Sequence, residues 1–193
     1  MNLPNKLTLG RLVLTALFVV ALSAPIPHGR SIALLLFIVA AITDYFDGKI
    51  ARERNLVTNF GKLMDPLADK VLIAAALILL VDLELLWAWS VVVVVFREFL
   101  VTGLRLIAAN EGIVVAAEKL GKWKTTIQMI TVIYLLCFVA SEEPAFSWLA
   151  GLFTIPGAGY QVVGRVCEIA MVVLTLWSGV SYVYKNRRLL ADS

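Results

Sequence analysis

Asp44, Asp47, Asp65 and Asp69 are the residues of this chain best suited to chemistry. They fall in two short stretches. The first is Asp44-Tyr-Phe-Asp47-Gly48-Lys-Ile-Ala51-Arg52, and the second, eight residues later, is Gly61-Lys-Leu-Met-Asp65-Pro-Leu-Ala-Asp69. On a helix, residues three or four apart share a face, so each pair presents two carboxylates to one side. A connection this short predicts antiparallel neighbouring helices, with four carboxylates meeting at one end. At membrane depth such a group is costly unless neutralised. Lys49, Lys62 and Lys70 are near enough in sequence to do this. Hard divalent cations do it better, because Mg²⁺ and Mn²⁺ prefer carboxylate oxygen. Two such ions can clamp a diphosphate and stabilise both the attacking and the leaving oxygen of a displacement. Gly48 and Gly61, lacking a Cβ, and the small Ala51 let a ligand or a helix come close. Arg52 carries a planar fork suited to phosphate. Ordinary salt bridges would explain two carboxylates among lysines. Four, with two glycines and an arginine in register, point to a metal-dependent phosphate site.

The elements that must hold these residues are membrane helices. Of 193 residues, 61% are hydrophobic and 16% charged, and the mean hydropathy is +0.89. A soluble domain carries about 45–50% apolar and about 25% charged residues. The composition excludes disorder, coiled coil and ordinary globular classes. Six spans of roughly 20 residues would take up roughly 120, so the expected architecture is all-α, integral to the membrane, with six transmembrane helices and short loops. It forms one membrane-embedded domain over residues 1–193. The apolar runs predict helices over about Thr8–Ala24, Ser31–Arg52, Pro66–Val81, Trp87–Ala109, Lys122–Ala140 and Tyr160–Tyr184. The first resembles a signal peptide in its hydrophobicity, but Pro25 follows Ala24 and disfavours cleavage there.

Lys and Arg in short loops set the orientation. They crowd the N-terminus (Lys6, Arg11), the second connection (Lys49, Arg52, Arg54, Lys62, Lys70), the fourth (Arg105, Lys119, Lys122, Lys124) and the C-terminus (Lys185, Arg187, Arg188). The alternate loops carry Arg30, then Asp82 and Glu84, then Glu142 and Glu143. Both termini and the acidic stretches are therefore expected on the cytoplasmic side. Trp87, Trp89 and Trp148 read as interfacial anchors, and 141–159 as a surface connection. Cys137 and Cys167 show neither a zinc nor a disulfide pattern and read as small hydrophobes. His28, flanked by Pro25 and Pro27, reads as a loop residue. A net charge of +3 is spent on membrane orientation, and no nucleic-acid partner is expected.

Arg97 lies inside an apolar run, after five valines and Phe96. An intramembrane arginine is a functional candidate by default. Glu98 and Glu168 are its candidate ion-pair partners, and Arg165 with Glu168 reads first as a local i, i+3 pair. For Arg105, Lys122 and Lys124 the competing explanation is anchoring to acidic lipid.

The spacing Asp-x-x-Asp-Gly-x-x-Ala-Arg, eight residues, then Gly-x-x-x-Asp-x-x-x-Asp resembles the signature of the CDP-alcohol phosphatidyltransferases, with no departure at any fixed position. The hydropathy is similar too, since that family has six membrane helices with its site near the cytoplasmic face. Pro4-Asn5-Lys-Leu-Thr8-Leu-Gly-Arg11, Arg97-Glu98 with Gly103-Leu-Arg105, and Leu120-Gly121-Lys122-Trp-Lys124-Thr125 are most similar to the bacterial branch that makes phosphatidylglycerophosphate. The resemblance implies that Asp44, Asp47, Asp65 and Asp69 ligate two divalent metal ions, Mg or Mn. It implies that Asp69 is also the general base. Asn5, Thr8, Asp47, Gly48, Ala51, Arg52 and Gly61 would form the cytidine diphosphate pocket. Arg97, Arg105, Lys122 and Lys124 would bind the acceptor's phosphate. The implied substrates are CDP-diacylglycerol and glycerol 3-phosphate, in a bacterial inner membrane. A homodimer is implied on the same basis alone. Other acceptors stay open at this stage: inositol phosphate, serine or phosphatidylglycerol. A divalent-cation transporter is the rival from another class, although such proteins tend to show internal repeats and a mid-membrane site, and no repeat is visible here. An inactive scaffold would not keep the signature unbroken.

Overall fold

Among the described residues six α-helices follow one another: α1 (Leu3–Ser23), α2 (Gly29–Arg54), α3 (Asn59–Asp82), α4 (Ala88–Asn110), α5 (Lys119–Ser141) and α6 (Tyr160–Lys185). A 3₁₀-helix, Pro144–Phe153, separates α5 from α6. The computed structural model describes the backbone of residues 3–54, 59–110, 119–154 and 159–187. It describes the side chains of 8–43, 67–68, 70–108, 120–154 and 159–187.

The polarity of the bundle is inverted relative to a water-soluble protein. On α1, Leu9, Val13, Leu17 and Val20 face outward, while Thr8, Arg11 and Thr15 are buried. On α6, Val162, Val166, Ile169, Val173 and Leu176 are exposed, while Glu168, Thr175 and Ser178 are buried. Apolar exteriors with polar side chains buried among apolar ones suit a lipid surround. Leu120–Ser141 and Tyr160–Lys185 are long and apolar enough to cross a membrane, and Thr8–Ser23 and Gly29–Thr43 are shorter apolar helices. The regular structure of the described residues is entirely helical, consistent with a membrane protein.

All six helices share one core. It joins Phe18 of α1, Phe37 of α2, Leu77 and Leu80 of α3, Val94 of α4, Leu135 and Leu136 of α5 and Met171 of α6. Helix α1 packs against both α2 and α3, which touch each other only sparsely among the described residues; α4 and α5 pack on α6. The α1–α2 turn is tight. A Cβ on Gly29 would lie 2.5 Å from the Ala21 carbonyl oxygen, so only glycine allows that approach.

Carboxylates from the second half of the chain cap two helices of the first. Glu143 accepts hydrogen bonds from the backbone N–H of Arg30 (3.0 Å) and Ser31 (2.9 Å) and from the Ser31 hydroxyl (2.5 Å) at the start of α2. Arg30 also pairs with Glu142. Glu168, fully buried, accepts from the Trp87 N–H (2.7 Å) and the Ser90 hydroxyl (2.6 Å) at the start of α4, and pairs with Arg165 at 2.6 Å. The Arg165 guanidinium lies 4.1 Å over the Trp87 ring. Partial burial pushes the Glu143 carboxyl up, but the three hydrogen bonds outweigh it and hold its pKa below the usual carboxylate value. Such caps satisfy N–H groups that a helix start leaves orphaned.

Helices α1 and α3 start earlier than expected, α1 at Leu3 rather than Thr8. Helix α3 starts at Asn59 rather than Pro66, so Gly61, Asp65 and Asp69 lie on one helix. Pro66 sits inside it, without an N–H to offer the preceding turn. The connection after α5 lies at the surface as expected, and most of it is ordered as a short helix. Its apolar side chains fold the 3₁₀-helix, with Leu149 and Phe153 buried and Phe153 set edge-on to Tyr134 and Phe138. Trp148, Trp87 and Trp89 are exposed, as interfacial residues should be. Arg165 pairs with Glu168 as expected. Cys137 and Cys167 are free and half-buried.

Candidate active site

The backbone sets the acidic residues at two helix ends. Asp44 and Asp47 lie toward the end of α2, and Asp65 and Asp69 in the first half of α3. The side chains of Asn5, Asp44, Asp47, Gly48, Ala51, Arg52, Gly61, Asp65 and Asp69 fall outside the described residues. Among the described residues no group of three metal-binding side chains occurs. The donors offered by the four aspartates are all carboxylate oxygen, the set that suits Mg²⁺ or Mn²⁺ rather than a softer ion. Thr8 is buried on α1, the helix that packs against both α2 and α3.

One helix further on, a cluster of charges fills the interior. Glu98 of α4 is its centre. Its Oε1 takes the Arg97 guanidinium at 3.0 Å and the Lys124 ammonium, and its Oε2 lies 3.5 Å from Lys70 Nζ. Lys70 also donates to the Thr102 hydroxyl, which itself donates to the Glu98 carbonyl at 2.7 Å. Lys124 is only 3% exposed. Neighbouring residues on a helix do not face each other, so Arg97 reaches Glu98 by wrapping its long side chain round α4. It has room because of Gly179 on α6, where a Cβ would sit 3.0 Å from Arg97 Cγ. Arg97 Nε is buried and has no hydrogen-bond partner among the described residues. A mostly apolar cavity of about 120 Å³ between α3, α4 and α5 opens beside the cluster, with Lys70, Glu98, Lys124 and Gln128 on part of its wall.

Of the four cations expected to bind an acceptor phosphate, the fold brings Arg97 and Lys124 together. Arg105 and Lys122 are exposed and stand apart from Glu98, with the Arg105 guanidinium 5.6 Å over the Tyr182 ring. Lys70 and Gly179 carry structural parts that their sequence positions do not announce, and Glu98, a candidate partner of Arg97, also takes Lys124 and Lys70. Lys70 follows Asp69 directly, and Glu98 is an acid inside an apolar run; those were the available signals. Of the two candidate partners for Arg97, Glu98 takes it, while Glu168 is held by Arg165.

The chain is 52% identical over 173 residues to the CDP-diacylglycerol–glycerol-3-phosphate 3-phosphatidyltransferase of Bacillus subtilis, covering 80% of this chain and 90% of that one. Proteins of the same name from Rickettsia felis and Shigella flexneri serotype 5b are 35% and 36% identical, over 94% and 99% of this chain and 93% and 98% of theirs. The family model for CDP-alcohol phosphatidyltransferase matches residues 1–180. With the acidic signature unbroken on α2 and α3 and the match running through all six helices, the chain belongs to the CDP-alcohol phosphatidyltransferase family.

Proposed function

We propose that the protein is an enzyme that transfers the phosphatidyl group of CDP-diacylglycerol to the 1-hydroxyl of glycerol 3-phosphate, giving phosphatidylglycerophosphate and CMP. The observation that carries this reading is the near full-length similarity to relatives named for that reaction. The six helices cross the bacterial inner membrane, with both termini and the acidic end of α2 and α3 on the cytoplasmic side. The basic composition of those connections supports this orientation.

CDP-diacylglycerol lies with its acyl chains in lipid and its nucleotide at the inner leaflet. Asn5, Thr8, Asp47, Gly48, Ala51, Arg52 and Gly61 line the cytidine diphosphate pocket. Asp44, Asp47, Asp65 and Asp69 are the residues that would hold two divalent ions, Mg²⁺ or Mn²⁺. When bound, such ions supply neutralising positive charge at a diphosphate. Asp69 takes the proton from the acceptor's 1-hydroxyl. The freed oxygen attacks the β-phosphorus, and the bond to the CMP oxygen breaks. Arg97 and Lys124 orient the acceptor through its phosphate, with Arg105 and Lys122 drawing it in from the surface. Holding the two substrates in line converts the encounter into an intramolecular step. A homodimer is part of the proposal.

The test is CMP release from CDP-diacylglycerol in detergent micelles with Mg²⁺ or Mn²⁺, comparing glycerol 3-phosphate, inositol 1-phosphate, serine and no acceptor. Release that requires glycerol 3-phosphate and is lost on chelation is expected. Release with another acceptor would keep the acidic site and discard this reading of the cations. No release from folded protein would overturn the transfer itself.

A further inference from the structure

We propose that Glu98 is the positioning and charge-setting residue of the acceptor site. It is a fixed counter-anion that gathers Lys70, Arg97 and Lys124 onto one point and leaves them a surplus of two positive charges. The inference rests on the acceptor reading above and deepens it, because the surplus selects a class of ligand.

The geometry is that of one carboxylate tying three helices. Oε1 of Glu98 holds Arg97 of its own helix and Lys124 of α5, and Oε2 approaches Lys70 of α3. No other carboxylate among the described residues touches these three cations. Lys124, almost wholly buried, is stable as an ammonium only beside a negative charge. Without Glu98 the three cations would repel one another and spread. With it, these four groups together carry a net charge of two, and Lys70, Glu98 and Lys124 among them line a cavity.

A dianion neutralises that surplus. A phosphate monoester carries nearly two negative charges at neutral pH, its second pKa lying near about 6. A phosphodiester carries one, and a polyol or a zwitterion carries no net charge. The cluster thus favours an acceptor that is a phosphate monoester in its dianionic form. Glu98 need not touch that phosphate; it acts through the cations it holds.

The experiment compares Glu98→Gln and Glu98→Asp with the unaltered protein. Each substrate is varied at saturating levels of the other, and inorganic phosphate serves as a competing probe. Glu98→Gln should raise the KM for glycerol 3-phosphate by about tenfold or more and weaken inhibition by phosphate in parallel, as loss of acceptor binding requires. The KM for CDP-diacylglycerol should move less than about twofold. Glu98→Asp keeps the charge one methylene short of the lysines and should fall between the two; it decides the matter if the Gln variant does not fold. The acceptor kcat/KM of the unaltered protein should also rise as pH passes about 6, tracking the dianion. Equal changes in both KM values, or none in either variant, would overturn the proposal. Arg97→Gln and Lys124→Gln separate the two failures. If they raise the acceptor KM and the Glu98 variants do not, Glu98 is only structural. If none of the four does, the acceptor reading falls and this proposal falls with it.

Discussion

Gly179 offers a test in which activity and stability should move in opposite directions. A Cβ at this position would lie 3.0 Å from Arg97 Cγ, whereas ordinary contact starts at 3.4 Å. Gly179→Ala therefore forces the Arg97 stem aside by about 0.4 Å, the difference between those two distances. The guanidinium lies several bonds further out, where the displacement grows toward about 1 Å. A misplacement of that size can reduce rate by about 10²-fold. Part of it relaxes through the flexible side chain. We expect Gly179→Ala to lower kcat/KM for glycerol 3-phosphate by about 3- to 10-fold, or about 0.7–1.4 kcal/mol of transition-state stabilisation. Gly179→Leu, which cannot be relieved this way, should lose about 10²-fold. The KM for CDP-diacylglycerol should hold. Alanine is favoured over glycine inside a helix by about 1 kcal/mol, so the thermal midpoint of the Ala variant in detergent should not fall. The assay is steady-state CMP release with glycerol 3-phosphate varied. Acceptor kinetics of Gly179→Leu that match the unaltered protein would refute the idea that α6 sets the position of Arg97.

Three further outcomes follow from other parts of the molecule. Asp69→Asn should lower CMP release by at least the 10²–10⁴-fold ascribed to a general base, roughly, while CDP binding, followed by titration, weakens less; full turnover would end the base assignment. Gly29→Ala puts a methyl group against the Ala21 carbonyl and should cost about 1–3 kcal/mol through overpacking of the α1–α2 turn, read as a lower thermal midpoint with kcat unchanged in the fraction that stays folded. Glu143 has a folded-state pKa below its usual value, so its contribution is complete above the unfolded pKa and disappears as pH falls through the folded one. Glu143→Gln should destabilise by about 0.5–1 kcal/mol at pH 7, allowing for solvent screening. The gap should close in acid, and a gap that stays constant with pH would remove the charge from the explanation.

The helices were legible because apolar runs of membrane length admit few other structures, and the spacing of Asp44, Asp47, Asp65 and Asp69 placed each pair on one face without tertiary information. The start of α3 at Asn59 is not marked by the apolar run, because its first turns carry Lys62, Asp65 and Pro66. The segment after α5 lies at the surface, as its prolines and glycines suggest, but the burial of Leu149 and Phe153 that anchors it depends on Tyr134 and Phe138 of α5. Arg97 could be singled out from its intramembrane setting, and Lys124 only through the family resemblance. That they share Glu98 with Lys70, and that Arg105 and Lys122 do not join them, depends on how α3, α4, α5 and α6 approach one another. Nothing local to a sequence encodes that. Gly179 was silent for the same reason: its importance lies in the side chain of another helix.

The two clasping carboxylates make the order of synthesis matter. Glu143 is made 113 residues after Arg30, whose N–H it receives, and Glu168 is made 81 residues after Trp87. At about 5–20 residues per second, α2 waits roughly 6–23 s on the ribosome for its partner. During that time the starts of α2 and α4 depend on water or lipid head groups for their bare N–H groups. A stalled or prematurely released nascent chain that ends before Glu143 exposes both ends at once, on the face proposed to lie outside the cytoplasm. Both helix starts are therefore capped only once Glu143, just beyond α5, and Glu168, on α6, have been made.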